Sequence, residues 1–164
     1  MATSADNPLL LCYDGSEPAK HAIERAAALL RVRNAVVLTV WQPTAGLGSF
    51  AWAGAMDTML DYVELDRAAA ELGGRIVQEG ARVARDAGLQ AEPLAVEATG
   101  PVWQTILEIA DSHDASTIVI GSRGLTGLRS MLLGSVSTAV VHRADRPTLV
   151  IHSAGDDHAS RRAA

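Results

Sequence analysis

A single cysteine, Cys12, is all the thiol chemistry that this chain of 164 residues contains. One thiol excludes an intrachain disulfide framework and cannot by itself build a cysteine zinc site. Aromatic residues make up only 4% of the chain, so a core must be built from Ala, Leu, Val and Ile. Lysine is nearly absent: Lys20 is the one lysine among 14 Lys and Arg residues, and a lysine-dependent phosphate loop would have to use it. Positive charge is in deficit as well. With a net charge of −5 and no Lys/Arg block to neutralise phosphodiesters, general nucleic-acid binding is not expected. The five histidines fall at 21, 113, 142, 152 and 158 with no i,i+4 pair, so a histidine metal site is not expected either. No apolar run approaches the roughly 18 residues of a membrane span. The opening MATSADNP lacks the charged and apolar regions of a signal peptide. A soluble cytoplasmic domain without a membrane partner is the class that remains.

Hydrophobic residues at 48% and charged residues at 20% are ordinary for a globular domain, and the length is near the roughly 150 residues of one domain. The expected division is a flexible N-terminus over 1–7, a single domain over 8–152 and a disordered tail over 153–164. Apolar runs at Pro8 to Tyr13, Ala35 to Trp41, Ser116 to Ile120 and Pro147 to His152 read as short buried strands. A more polar run, Leu89 to Ala98, contains Pro93, which points to an edge strand. Helical spacing lies between them: Ala19 to Leu30, about Met59 to Ala87 stopping at Gly88, about Pro101 to His113, and Ser135 to His142. Gly73-Gly74 is expected to weaken or bend the second helix. Gln42 to Asp57, mixing Pro43 and three glycines with Leu47, Phe50 and Trp52, reads as a long functional or mobile loop. Strands alternating with helices predict an α/β fold, a doubly wound five-stranded parallel sheet with helices on both faces.

In such sheets ligands bind beyond the carboxyl ends of the strands, at the switch point. Two strand ends are unusual. The first is Asp14-Gly15-Ser16, where Asp14 or Ser16 can cap the following helix. The second is Gly121-Ser122-Arg123-Gly124-Leu125-Thr126-Gly127, continuing through Gly134-Ser135-Val136-Ser137 into a helix. Its glycines allow close approach of a ligand to main-chain amides. Gly134 and Ser135 would present N–H groups at a helix N-terminus, which favours an anion, and Arg123 and Arg129 carry positive charge nearby. Taken alone, these features fit either a phosphate loop or an ordinary strand–helix connection. Neither the Walker motif nor the dinucleotide fingerprint fits, because Lys20 sits on the first helix and the glycines follow the fourth strand. Cys12 in an apolar strand reads as a small core residue, Trp103 as packing a helix on the sheet, and Trp41 and Trp52 as core residues or as part of a ligand mouth or a partner surface.

The spacing Gly121-x2-Gly124-x9-Gly134-Ser135 resembles the universal stress proteins, in particular the subgroup that binds ATP through G-2x-G-9x-G-(S/T). Leu10 to Ser16, Val36 to Val40, Ala110 to Ile120 and Pro147 to Ile151 are similar to the family's strands and the elements beside them, so the likeness runs from about residue 8 to 152. The resemblance implies strand order 3-2-1-4-5 and ATP, with or without Mg, at the ends of strands one and four. Asp14 and Val40 would lie by the adenosine, and Ile120 and Gly121 beneath ribose and base. Arg123, Gly124, Gly134, Ser135, Val136 and Ser137 would surround the phosphates. Two departures stand out: Cys12 occupies a position often taken by proline, and Arg123 one often taken by histidine. The implied function is an ATP-binding stress-response or signalling protein that acts through nucleotide-dependent dimer or partner interaction. The downstream protein partner is not legible. The alternatives are a slow ATPase or phosphotransferase, or a module for AMP or cyclic AMP. No general base or nucleophile accompanies the glycine loop, so binding is favoured over turnover. A homodimer is expected through Thr148 to Ile151, an apolar edge strand that no charge interrupts.

Overall fold

Leu9, Leu10 and Leu11 are each 0% exposed, which requires cover on both faces of the strand that carries them. The computed structural model describes residues 7–43, 62–122 and 133–152 and supplies that cover. The elements run β1 (Leu9–Cys12), α1 (Glu17–Leu29), β2 (Asn34–Trp41), α2 (Tyr62–Asp86), β3 (Gln90–Glu97), α3 (Val102–Ser112), β4 (Thr117–Gly121), α4 (Ser135–Arg143) and β5 (Thr148–Ile151). The five strands form one sheet in the order β3-β2-β1-β4-β5, with every neighbouring pair parallel. The expected doubly wound sheet and its strand order are therefore observed, with β3, the strand holding Pro93, at one edge.

The period of two along each strand divides the core. Leu9, Leu11, Ala35, Val37 and Val119 pack with Ala22, Ile23 and Ala26 of α1 and Val77, Ala81 and Ala84 of α2. Leu10, Val36, Leu38, Ile118 and Ile120 pack on the other face with Ile106 and Ala110 of α3 and Val140 of α4. Alanine on the inner faces lets the helices sit close to the sheet, which is how so few aromatics suffice. Ser16 caps α1: its Oγ accepts from Ala19 N–H at 3.2 Å, and the Asp14 carboxylate accepts from Ser16 N–H at 3.0 Å. Of the two expected caps Ser16 is the one used, while Asp14 holds the cap residue's own N–H in a turn around Gly15 at φ +83°. Gly88 closes α2 at φ +91°, as its position after the last apolar residue suggests.

The glycine pair within α2 does not interrupt it. The helix is continuous from Tyr62 to Asp86, and Gly73 provides clearance instead: a Cβ there would lie 3.2 Å from Cδ1 of Trp41. Trp41 is thus packed under α2. Trp103 is half-buried on α3, and the Arg143 guanidinium stacks 4.5 Å from its ring centroid, joining α3 to α4. Trp52 and the loop beyond Pro43 lie outside the described residues, as do most of the expected terminal segments.

Arg146 ties the closing elements together. Its guanidinium donates to the carbonyls of Ala110 at 2.6 Å and Ala115 at 3.1 Å and to the Asp111 carboxylate, and its side chain is only 18% exposed. One cation therefore satisfies the end of α3 and the turn before β4 while fixing the approach to β5. Removing it takes a donor from the Ala115 carbonyl, while Ala110 O keeps the Ala115 N–H at 2.9 Å, so Arg146→Ala is expected to cost about 1–3 kcal/mol. Urea denaturation would read this as a lower midpoint at unchanged slope.

Candidate functional site

Tyr13 N–H still bonds to Leu38 O, at 2.9 Å, and there β1 leaves the sheet while β2 and β4 continue. The gap is the switch point, and α3 and the start of α4 wall it. Main-chain groups of alternate residues in β2 face the same neighbour. Since Leu38 O faces β1, the N–H and C=O of Val40 face the space beyond the end of β1. A cleft of about 230 Å³ occupies it.

Eight expected residues line this one cleft: Asp14, Val40, Ile120, Gly121, Gly134, Ser135, Val136 and Ser137. Arg123 and Gly124, like Arg129, lie outside the described residues. The wall also includes Cys12, Tyr13, Ala19, Leu38, Val102 and Ile106, which the motif does not reveal. Cys12 was legible in principle, since it stands two residues before Asp14 and so shares its face of the sheet. Burial, reinforced by the Asp14 charge, pushes the Cys12 thiol up to about 12. At neutral pH it is an uncharged wall group rather than a thiolate nucleophile.

One end of the cleft is apolar, lined by Leu38, Val40, Val102, Ile106 and Ile120. The other end is polar for a structural reason. Gly134 is the N-cap of α4 and offers no side-chain cap. The first helical bond runs from Thr138 N–H to Gly134 O at 2.8 Å, so the N–H groups of Ser135, Val136 and Ser137 precede any intrahelical partner. Gly134 is seated by its own N–H on Ser122 O, at 2.8 Å. Ser137 has a different task from the one the motif implies: its buried Oγ donates to Gly121 O at 2.8 Å, tying α4 to the end of β4. Its proton is committed there, while its amide remains at the helix start. Ser135 is the first helical residue rather than a cap. Among the described residues, no three His, Cys, Asp or Glu side chains form a metal-holding group, and no helix is long and apolar enough to cross a membrane.

This is a doubly wound α/β domain with a switch-point cleft between the ends of β1 and β4, apolar at one end and rich in main-chain donors at the other. A model of the universal stress protein family matches residues 7–152, and the chain belongs to that family. Universal stress protein YxiE of Bacillus subtilis is 30% identical over 148 residues, covering 88% of this chain and 98% of the relative. A universal stress protein of Thermus aquaticus is 33% identical over 146 residues, covering 87% and 96%. Among solved structures, MJ0577 superposes with a TM-score of 0.73 at 22% identity, covering 94% of this chain and all of that one. Two others are a universal stress protein in complex with cAMP (TM-score 0.57, 23% identity, covering 90% and 97%) and the Archaeoglobus fulgidus protein with dAMP (0.58, 22%, covering 88% and 96%).

Proposed function

We propose that this chain is a cytoplasmic ATP-binding stress-response or signalling protein, working through nucleotide-dependent interaction of its dimer or with a protein partner. The observation that carries the reading is the uncapped first turn of α4 opening onto an apolar cleft. Three amides and the positive end of the helix dipole suit a phosphate chain. The aliphatic end suits a purine, whose edge would meet the outward N–H and C=O of Val40, with Ile120 and Gly121 beneath base and ribose. Asp14 would repel a triphosphate at close range, so it suits ribose hydroxyls or a Mg ion carried on the phosphates. By the motif's spacing, Arg123 and Gly124 would join those amides around the phosphates. The family membership and the cAMP and dAMP held by two related structures support a nucleotide in this place.

Those two ligands also favour a second reading, a module for AMP or cyclic AMP. Calorimetric titration with ATP, AMP and cAMP separates the two. Tightest binding of ATP supports the first reading, whereas equal or tighter binding of AMP or cAMP moves the assignment to the monophosphates.

Hydrolysis is expected to be slow. Asp14 is the one carboxylate among the described lining residues, and Ser137 has its proton engaged. Purified protein should release phosphate far below the roughly 1–100 s⁻¹ typical of kinases. A rate in that range that is lost in Asp14→Asn would establish an enzyme.

The proposed dimer joins β5 to its twofold copy. Among the described residues β5 pairs only with β4, and Thr148, Leu149 and Val150 are half-buried. Ile118 N–H bonds to Pro147 O and Ser122 N–H to Ile151 O, at 2.9 Å each. Odd-numbered residues of this segment therefore face β4, and the N–H of Val150 faces the open edge. Val150→Pro deletes an edge donor without breaking the sheet. Light scattering should give the mass of two chains for the unaltered protein and of one for the variant. A single-chain mass for the unaltered protein would overturn the dimer.

A further inference from the structure

We propose that Arg85 and Pro93 close the β3 edge of the sheet to strand pairing, so that a second copy of this chain can extend the sheet at β5 alone. The closure stands on the geometry of β3, and its consequence for assembly rests on the proposed β5 dimer. An open sheet has two edges. Pairing β3 of one copy with β5 of the next is a head-to-tail contact, which adds chains without end. A twofold β5 pair stops at two chains provided that β3 is closed.

Gln90 N–H bonds to Arg33 O at 2.7 Å and Ala98 N–H to Trp41 O at 2.8 Å, so even-numbered residues of β3 turn their main chain toward β2. Ala91, Pro93, Ala95 and Glu97 turn theirs outward. Arg85, in the last turn of α2, reaches round that edge. Its Nε and Nη2 both donate to Ala91 O, at 3.1 and 2.6 Å. Two donors on one carbonyl use both of its lone pairs. The guanidinium also stands where a neighbouring strand would run, and a charge there blunts an edge. Two residues on, Pro93 has no N–H to give. An incoming strand thus meets an occupied acceptor and then a missing donor. The local fold holds Arg85 in reach. Gly88 turns the chain at φ +91°, Leu89 N–H bonds back to Ala84 O at 3.0 Å, and Leu89 and Ala91 are buried with Val83 and Ala84. The opposite edge has neither device, since Thr148–Ile151 contains no charge and no proline.

Arg85→Met, which keeps the aliphatic stem, combined with Pro93→Val opens the edge, and a single cooperative urea transition checks the fold. Arg85→Gln, shorter and uncharged, replaces Arg85→Met if that pair does not fold. In sedimentation velocity the opened variant should show a weight-average mass about twofold or more above that of the unaltered protein, because each open edge joins another chain. Adding Ala95→Lys, which places a charge at an exposed position of β3, should restore the mass of the unaltered protein. Adding Val150→Pro instead should stop growth at two chains joined through β3. An opened variant with the mass of the unaltered protein overturns the proposal, as does heavy material that neither Ala95→Lys nor Val150→Pro reduces. A single-chain mass for the unaltered protein, with pairs in the opened variant, upholds the closure and overturns the β5 dimer instead.

Discussion

Replacing Gly134 by valine is expected to weaken ATP binding on the order of a hundredfold, about 2.8 kcal/mol, while the protein stays folded. Gly134 has φ −57° and ψ 154°, a conformation open to any residue, so the variant adds no backbone strain. What changes is space and access. A branched side chain at the N-cap of α4 would stand beside the amides of Ser135, Val136 and Ser137, where the phosphates are placed. Gly124→Val should act in the same direction if residues of the motif share the phosphate site. Calorimetry together with an unchanged thermal midpoint is the check. Undiminished ATP affinity in both variants would remove the phosphates from this segment.

The second large effect is on stability, and it comes from the glycines of α2. Gly80→Val should destabilise the fold by about 3 kcal/mol or more, since overpacked cores have little slack. A Cβ at position 80 meets the Tyr13 ring at 2.5 and 2.8 Å and Val37 Cγ1 at 3.0 Å, so the helix must lift from β2. Gly73 is less confined, and its alanine variant should cost about 1 kcal/mol, with the Trp41 side chain at 3.2–3.4 Å having to yield. Gly74 has nothing within 4 Å, so Gly74→Ala should stabilise the helix by about 0.5–1 kcal/mol. Urea midpoints should therefore rank Gly74→Ala above the unaltered protein, then Gly73→Ala, then Gly80→Val. A tolerant position 80 would contradict the close approach of α2.

These glycines mark where sequence reasoning stops. Strand and helix positions were legible because central parallel strands must be apolar on both faces, and Leu9 to Leu11 and Val36 to Leu38 have that character. Pro93 marked an edge, and Gly88 a helix end. A glycine inside a helical pattern carries two opposite meanings, weak propensity or tight packing, and only the partner across the gap decides. For Gly73 that partner is Trp41, and for Gly80 it is Tyr13, each far away in the chain. The cleft was legible for the same kind of reason as the strands: the glycine spacing and Asp14 occupy strand ends, and topology brings strand ends together. The side chains from the helix wall, Val102 and Ile106, were not, because their helical pattern reads only as core. Ser137 shows a further limit. Its place in the motif suggested a phosphate contact, whereas its hydroxyl is bound to Gly121 O, a pairing no linear pattern announces.

The central claim is that the first turn of α4 receives the phosphates of a nucleotide whose base lies in the apolar end of the cleft. Amide NMR of the isotope-labelled protein, titrated with ATP, addresses it at the atoms concerned. The N–H resonances of Ser135, Val136 and Ser137 should move downfield as they acquire charge-assisted hydrogen bonds, with the Val40 amide shifting in step and the residues of β3 unmoved. Saturable ATP binding that leaves the three α4 amides where they were would contradict the claim.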